Sequence, residues 1–159
     1  MKPATERCAA GTLRRAARSI ARVYDSRLAL AGLTTTQFSV LRALERHGSP
    51  VPLSELADDM ALERTSLYRA LEPMRREKLI VFSPGVGRAK EVTLTRGGIR
   101  RITQAMPHWT RAQEAFVTRY GRSEWSRLAR QLVEIVDVAR TMPLDERSLR
   151  RRAMSAVLE

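Results

Sequence analysis

From Arg64 to Arg76, Leu67, Leu71 and Met74 recur at i, i+4 and i+7, which turns Arg64, Thr65, Ser66, Tyr68, Arg69, Glu72, Arg75 and Arg76 away from them on a helix. Guanidiniums, two hydroxyls and a phenol in that pattern do not make an acid–base pair or a nucleophile. They are donors suited to anionic oxygens and base edges, because the guanidinium fork matches phosphate and the O6/N7 edge of guanine. Thr65, Tyr68 and Arg69, near the helix start, are expected at base edges, with Arg69 the principal base reader. Ser54, Arg64, Ser66 and Arg75 are expected on phosphates. A basic helix face is often only solvated surface, so the elements around it decide the matter.

Upstream, Ser54 is expected to cap a short helix with Leu56 and Met60 on its inner face, followed by a turn at Ala61 to Glu63. Downstream, Ile80 to Phe82 and Glu91 to Thr95 alternate as strands, and Gly85 and Gly87 allow a tight reversal with Arg88 at its tip. Helix, turn, helix, strand, turn, strand is the order of a winged helix-turn-helix, here spanning 34–95. Arg88 is expected to enter the minor groove, where narrow A·T-rich stretches concentrate negative potential. Pro73 lies inside the second helix and is expected to bend it near Arg69 to Pro73.

The 159 residues suit a single domain (1–159), mainly α with a small β-hairpin wing. A formal net charge of +12, nearly all of it arginine because the only lysines are Lys2, Lys78 and Lys90, points to a polyanionic partner, double-stranded DNA. Cys8 is the single cysteine, which precludes an internal disulfide and fits a reducing cytoplasm. No run approaches 18 apolar residues and the N-terminus lacks an apolar signal core, so neither a membrane span nor secretion is expected. His47, His108 and Cys8 are too few for a metal centre, and no phosphate loop or nucleophile elbow is present; the reading is of a non-enzyme with no cofactor.

Apolar residues at 3,4-spacing predict one long helix over 8–31, through Leu13, Ile20, Tyr24 and Leu28. Thr34 and Gln37 form a capping box, with Leu33 and Phe38 as its hydrophobic staple, so a second helix starts at Thr35 and runs to Gly48. Thr95 is expected to cap a helix over 96–120 that contains Pro107, and Ser123 to cap another over 123–140. Residues 1–7 read as disordered, and 144–158 as one further helix or a mobile tail. The stripes of 8–31, 96–120 and 123–140 exceed what one small winged domain covers, so two chains are expected to interdigitate them as a homodimer.

Ser66 to Leu71 (Ser-Leu-Tyr-Arg-Ala-Leu), the hairpin with Arg88 ahead of Val92-Thr93-Leu94-Thr95, Gly97-Gly98, Leu33 to Phe38 and Tyr24-Asp25 together resemble the MarR family of bacterial transcription regulators, over most of residues 8–140. Two positions depart from its pattern: Val86 stands where the family has an aspartate bracing the wing arginine, and Lys78 where a glycine commonly follows the recognition helix. The resemblance implies a dimeric regulator, more simply a repressor than an activator, on a pseudopalindromic operator. It also implies release by a small, often aromatic or phenolic ligand between the two lobes, with Arg15, Arg18, Tyr24, Arg42, His108 and Trp109 as pocket members. Each also has a plainer role, since Tyr24 and Trp109 lie on apolar stripes and the others suit solvent. Some relatives sense peroxides through a cysteine near the position of Cys8, but the companion tyrosine is absent, and Cys8 is expected to be a small buried apolar residue. A redox-sensing repressor using Cys8 and a nonspecific architectural DNA protein are the alternative functions.

Overall fold

The computed structural model describes residues 8–48, 50–86 and 89–142. In chain order these form α1 (Ala9–Leu28), α2 (Thr35–His47), β1 (Val51–Pro52), α3 (Leu53–Asp59), α4 (Arg64–Arg76), β2 (Ile80–Pro84), β3 (Lys90–Leu94), α5 (Arg96–Tyr120) and α6 (Arg122–Thr141). The chain divides into two compact units, Met1–Ala115 and Phe116–Glu159. The first holds the core, where Leu28, Leu41, Leu44, Leu56, Leu67, Leu71, Met74, Ile80 and Val92 are completely enclosed. The strands form one antiparallel sheet in the order β1-β3-β2, with Val92 facing Val51 on one side and Phe82 on the other.

Local signals explain most of the boundaries. The Thr34–Gln37 capping box is present in both directions, and Leu33 and Phe38 are both buried. Asp25 Oδ1 accepts from the amide and the hydroxyl of Thr35, each at 2.6 Å, which ties α1 to the start of α2. The stripe expected as one helix to Ala31 instead tightens into a 3-10 turn at Ala29–Ala31, because Leu33 N–H reaches back to Leu28 O.

The same closure ends both helices of the helix-turn-helix. Leu62 N–H bonds Ala57 O and Ala61 N–H bonds Asp58 O; Leu79 N–H bonds Met74 O and Lys78 N–H bonds Arg75 O. These are Schellman turns, which need a left-handed residue, and Ala61 (φ 50°) and Lys78 (φ 56°) supply it without being glycine. Lys78, read as a departure from a glycine position, therefore keeps the glycine conformation and bears its strain, of order 1–2 kcal/mol.

Three expectations are corrected. Ser54 is not a cap: the chain turns into α3 directly from Pro52, so Ser54 already has helical backbone and cannot take the extended geometry of an N-cap. Ser123 likewise lies inside α6, which starts from Gly121 at φ 107°, and its hydroxyl donates to Glu124 instead. Cys8 is exposed, not buried; it is the N-cap of α1, and its Sγ accepts from Gly11 N–H at 3.5 Å. Pro73 and Pro107 both lie inside continuous helices.

Thr95 joins three elements. Its amide bonds Leu79 O, its hydroxyl proton is shared between Lys78 O (2.7 Å) and Leu79 O (3.0 Å), and its Oγ1 accepts from Gly98 N–H at 3.0 Å. The start of α5 is thereby fixed to the end of α4 and the root of the wing. Gly98 makes that approach feasible, since a Cβ there would lie 2.3 Å from Leu79 O and 2.5 Å from Leu94 Cδ1.

In the second unit, Phe116 stacks on Tyr120 at 5.7 Å and meets Trp125 edge-on at 5.6 Å. No α6 residue is buried, and Val133, Ile135, Val136, Val138 and Met142 are exposed. Among the described residues no helix is long and apolar enough to cross a membrane. The expected helix or tail over 144–158 and the expected disorder of 1–7 lie outside the described residues.

Gly98→Ala should destabilise the protein by about 2–3 kcal/mol through backbone overlap, whereas Lys78→Gly should stabilise it by about 0.5–1 kcal/mol by relieving the left-handed strain. Urea denaturation of both variants checks the two signs together.

Candidate nucleic-acid interface

The second helix of the helix-turn-helix, α4, buries Leu67, Leu71 and Met74 and leaves Arg64, Thr65, Ser66, Arg69, Arg75 and Arg76 exposed. Its cations are not equivalent. Arg75 donates from Nε to Glu72 Oε2 at 2.9 Å and from Nη2 to Glu72 Oε1 at 2.6 Å, while Arg76 Nε reaches Glu72 Oε1 at 3.3 Å. Arg64 and Arg69 make no ion pair or hydrogen bond among the described residues. A bidentate pair has well-defined geometry, so the C-terminal half of α4 presents partly neutralised charge and the N-terminal half presents free guanidiniums.

Hydrogen bonds from Arg75, then its charge and those of Arg76, hold the Glu72 carboxyl well below the ordinary carboxylate value, at about 2. The same bonds push the Arg75 guanidinium upward.

Tyr68 is less free than a base reader would be. Its ring stacks on Phe82 of β2 at 5.3 Å and 20°, and Lys90 Nζ on β3 donates to its hydroxyl at 2.8 Å while also lying 5.3 Å from the ring centroid. Because an ammonium only donates, the phenol oxygen accepts from Lys90 and its own proton remains available to an outside acceptor. Tyr68 thus links the helix to the wing. Sequence reasoning missed Lys90; the signal was one of only three lysines standing on a strand beside the arginine-rich helix.

A cleft of about 450 Å³ opens between the start of α3, the start of α4 and the wing, lined by Leu53, Ser54, Arg64, Tyr68, Ala89 and Lys90. It brings together Ser54, Arg64 and Tyr68. On the other side of Tyr68 a cleft of about 700 Å³ includes Glu72, Arg75, Arg76, Lys78 and Lys90. Arg88 lies outside the described residues.

The expected ligand-pocket residues separate. Arg42 and Trp109 line a cleft of about 380 Å³ with Phe38, Ser39, Arg46, Asp59, Met60 and Met106. Phe38 and Trp109 stack across it at 6.1 Å. Arg42 pairs with Glu45, and Arg46 pairs with Asp59 at 3.2 Å. Tyr24 is a core residue whose hydroxyl bonds Gln113, and burial raises its pKa. Arg15 and Arg18 are exposed on α1, and His108 is half-buried outside that cleft. Among the described residues no cluster of His, Cys, Asp and Glu is suited to a metal ion.

Residues 38–84 match the IclR helix-turn-helix domain. The transcriptional regulator MosR of Mycobacterium tuberculosis, solved in complex with DNA, is 36% identical, with a TM-score of 0.76 over 84% of this chain and 97% of that one. This chain belongs to the MarR family. A MarR-family regulator from Rhodococcus sp. RHA1 shares the fold at 18% identity, with a TM-score of 0.70 over 79% and 91% of the two chains. So does BpsR of Bordetella bronchiseptica, described with regulation of its DNA binding by 6-hydroxynicotinic acid, at 22% identity and a TM-score of 0.72 over 86% and 98%. No curated protein sequence matches. Like its MarR-family neighbours, this protein is a DNA-binding transcription regulator and not an enzyme.

Since the Glu72 carboxyl titrates below its free value of about 4.5, its ion pair supports the fold above that pH, and the support is lost as pH falls towards 2. Carbon-detected NMR titration should find Glu72 still ionised at about pH 4.5, where unpaired glutamates are half protonated.

Proposed function

We propose that this MarR-family protein is a homodimeric, sequence-specific repressor that works in the cytoplasm on a pseudopalindromic operator. The observation that carries this reading is the exposed N-terminal half of α4, where Arg64 and Arg69 stand unpaired beside Thr65 and Ser66. Helix-turn-helix proteins present that part of the recognition helix to the major groove. Arg69 reads a guanine edge and Thr65 assists it. Tyr68 directs its free proton towards the duplex from its brace on the wing. Ser54, Arg64, Ser66 and Lys90 hold phosphates along the cleft they share or border, Arg75 adds a backbone contact, and Arg88 enters the minor groove.

The uncovered apolar residues of α6 support pairing with a second copy, because hydrophobic association is favoured by about 25 cal/mol per Å² removed from water. A two-fold dimer sets its recognition helices about one DNA turn apart, roughly 34 Å, and blocks polymerase where it sits. The cleft between Phe38, Met60, Met106 and Trp109 suits an aromatic ring, with Arg42 and Arg46 at its edge for an acidic or phenolic group. An occupant that binds better to one arrangement of the domain than to another shifts operator affinity. An architectural DNA coat needs only charge, and the hydroxyls and phenol on α4 are better explained by base reading.

Fluorescence anisotropy on an operator selected by the protein from a random library, against a scrambled duplex, tests the assignment. Arg69→Ala should remove most operator preference, a loss of about 1–3 kcal/mol. Arg88→Ala should cost affinity with less loss of operator preference and flatten the salt slope by about 1. Normal operator binding by both variants would overturn the site, and a monomer at binding concentrations would overturn the dimer.

A further inference from the structure

Glu72 is the only carboxylate within α4, and it engages two of the helix's four arginines. Nothing in the fold requires that: its partners are exposed, and its neighbours Leu71 and Met74 provide the burial. A carboxylate on a DNA-facing helix opposes phosphate binding, so its presence calls for a reason beyond helix stability, which such an exposed pair improves only slightly.

We propose that Glu72 is a specificity-determining residue that withholds Arg75 and Arg76 from indiscriminate phosphate binding. Nonspecific binding comes almost wholly from cations neutralising phosphates, whatever the sequence. Free guanidiniums at Arg75 and Arg76 would add to it on any duplex. With both held on Glu72, a helix lying loosely against the backbone meets an ion-pair cluster of net +1 whose carboxylate repels phosphate. Once the helix is seated in the major groove, the same carboxylate faces base edges, where the N4 amino group of cytosine is a donor it accepts from. The penalty therefore falls more heavily on the unseated mode than on the seated one. Arg64 and Arg69, which carry the principal seated contacts, are left unpaired, and Arg75 adds its backbone contact only when the helix is seated.

The inference rests on α4 being the groove-facing helix, and the test separates the two. Glu72→Gln, close in shape to the native side chain, is compared with wild type on the selected operator duplex and on a scrambled duplex of equal length, across a salt series. Affinity for the scrambled duplex should rise about tenfold near 0.1 M salt, with a salt slope steeper by about 1–2, while operator affinity rises less, so the specificity ratio falls. Adding Arg75→Gln and Arg76→Gln to Glu72→Gln should abolish the gain. Unchanged scrambled-duplex binding, or an equal rise on both duplexes, overturns the inference. So does a loss of affinity on both, which would make Glu72 merely a support for Arg75. In the same assay Arg69→Ala reports on α4 itself: if it too has no effect, the recognition helix has been misassigned, whereas a normal Arg69→Ala loss beside a silent Glu72→Gln removes only the role given to Glu72.

Discussion

The Thr95 hydroxyl holds the end of α4, the root of the wing and α5 in one arrangement. It shares its proton between the carbonyls of Lys78 and Leu79, which close α4, and accepts the amide of Gly98 in the first turn of α5. Those two residues close the Schellman turn that ends α4, with the chain reversing at Lys78. Gly98 allows α5 to approach them, and Arg101 on the next turn of α5 extends the junction to Glu77 at 3.4 Å and Ala31 O at 3.3 Å. The first turn of α5 and the end of α4 are thus joined directly, by the Thr95 hydroxyl and by the Thr95 amide on Leu79 O.

Charge is distributed with the same economy. An arginine-rich chain binds DNA without further design, so the structural question is which arginines are committed before DNA arrives. Arg75 and Arg76 are held by Glu72, Arg46 by Asp59 and Arg42 by Glu45, whereas Arg64 and Arg69 are not held. Lys90 is committed differently, to a phenol oxygen, which costs it no charge and orients Tyr68. On the proposed assignment, the surface offered to a duplex is narrower than the composition suggests and centres on the cleft between the starts of α3 and α4.

What could be read from the sequence was whatever depends on residues three or four apart. The Thr34–Gln37 box, the buried positions of α4 and the bounds of α5 have that range, and the hairpin, whose partners are 6 to 14 apart, was legible instead from the alternation of its two strands about a glycine turn. Both misplaced caps, Ser54 and Ser123, had the right residue type, but a neighbour with a special backbone, Pro52 or Gly121, started the helix before them. The turn at Ala61 and the family's glycine position at Lys78 were both marked, but the left-handed backbone itself was not legible there because neither residue is glycine. Cys8 was read as buried from its type alone, and its place at the first turn of α1 leaves it in solvent. The Tyr68–Lys90 brace joins residues 22 apart and exists only once the wing folds beside α4.

A helix of 20 residues with no buried position, such as α6, gains little from its own chain. In proteins most helical stability comes from packing an amphipathic face rather than from propensity. The Phe116–Tyr120–Trp125 cluster anchors only its first turns. Beyond these, Val133, Ile135, Val136 and Val138 would remain in contact with water, a poor use of four β-branched side chains that also weaken helix propensity. Covering them with a second copy accounts for both choices at once, and it makes the order of α6 depend on protomer concentration. On that reading the reading head and the pairing helix differ in kind: the first is fixed within one chain by hydrogen bonds, and the second is completed only by association.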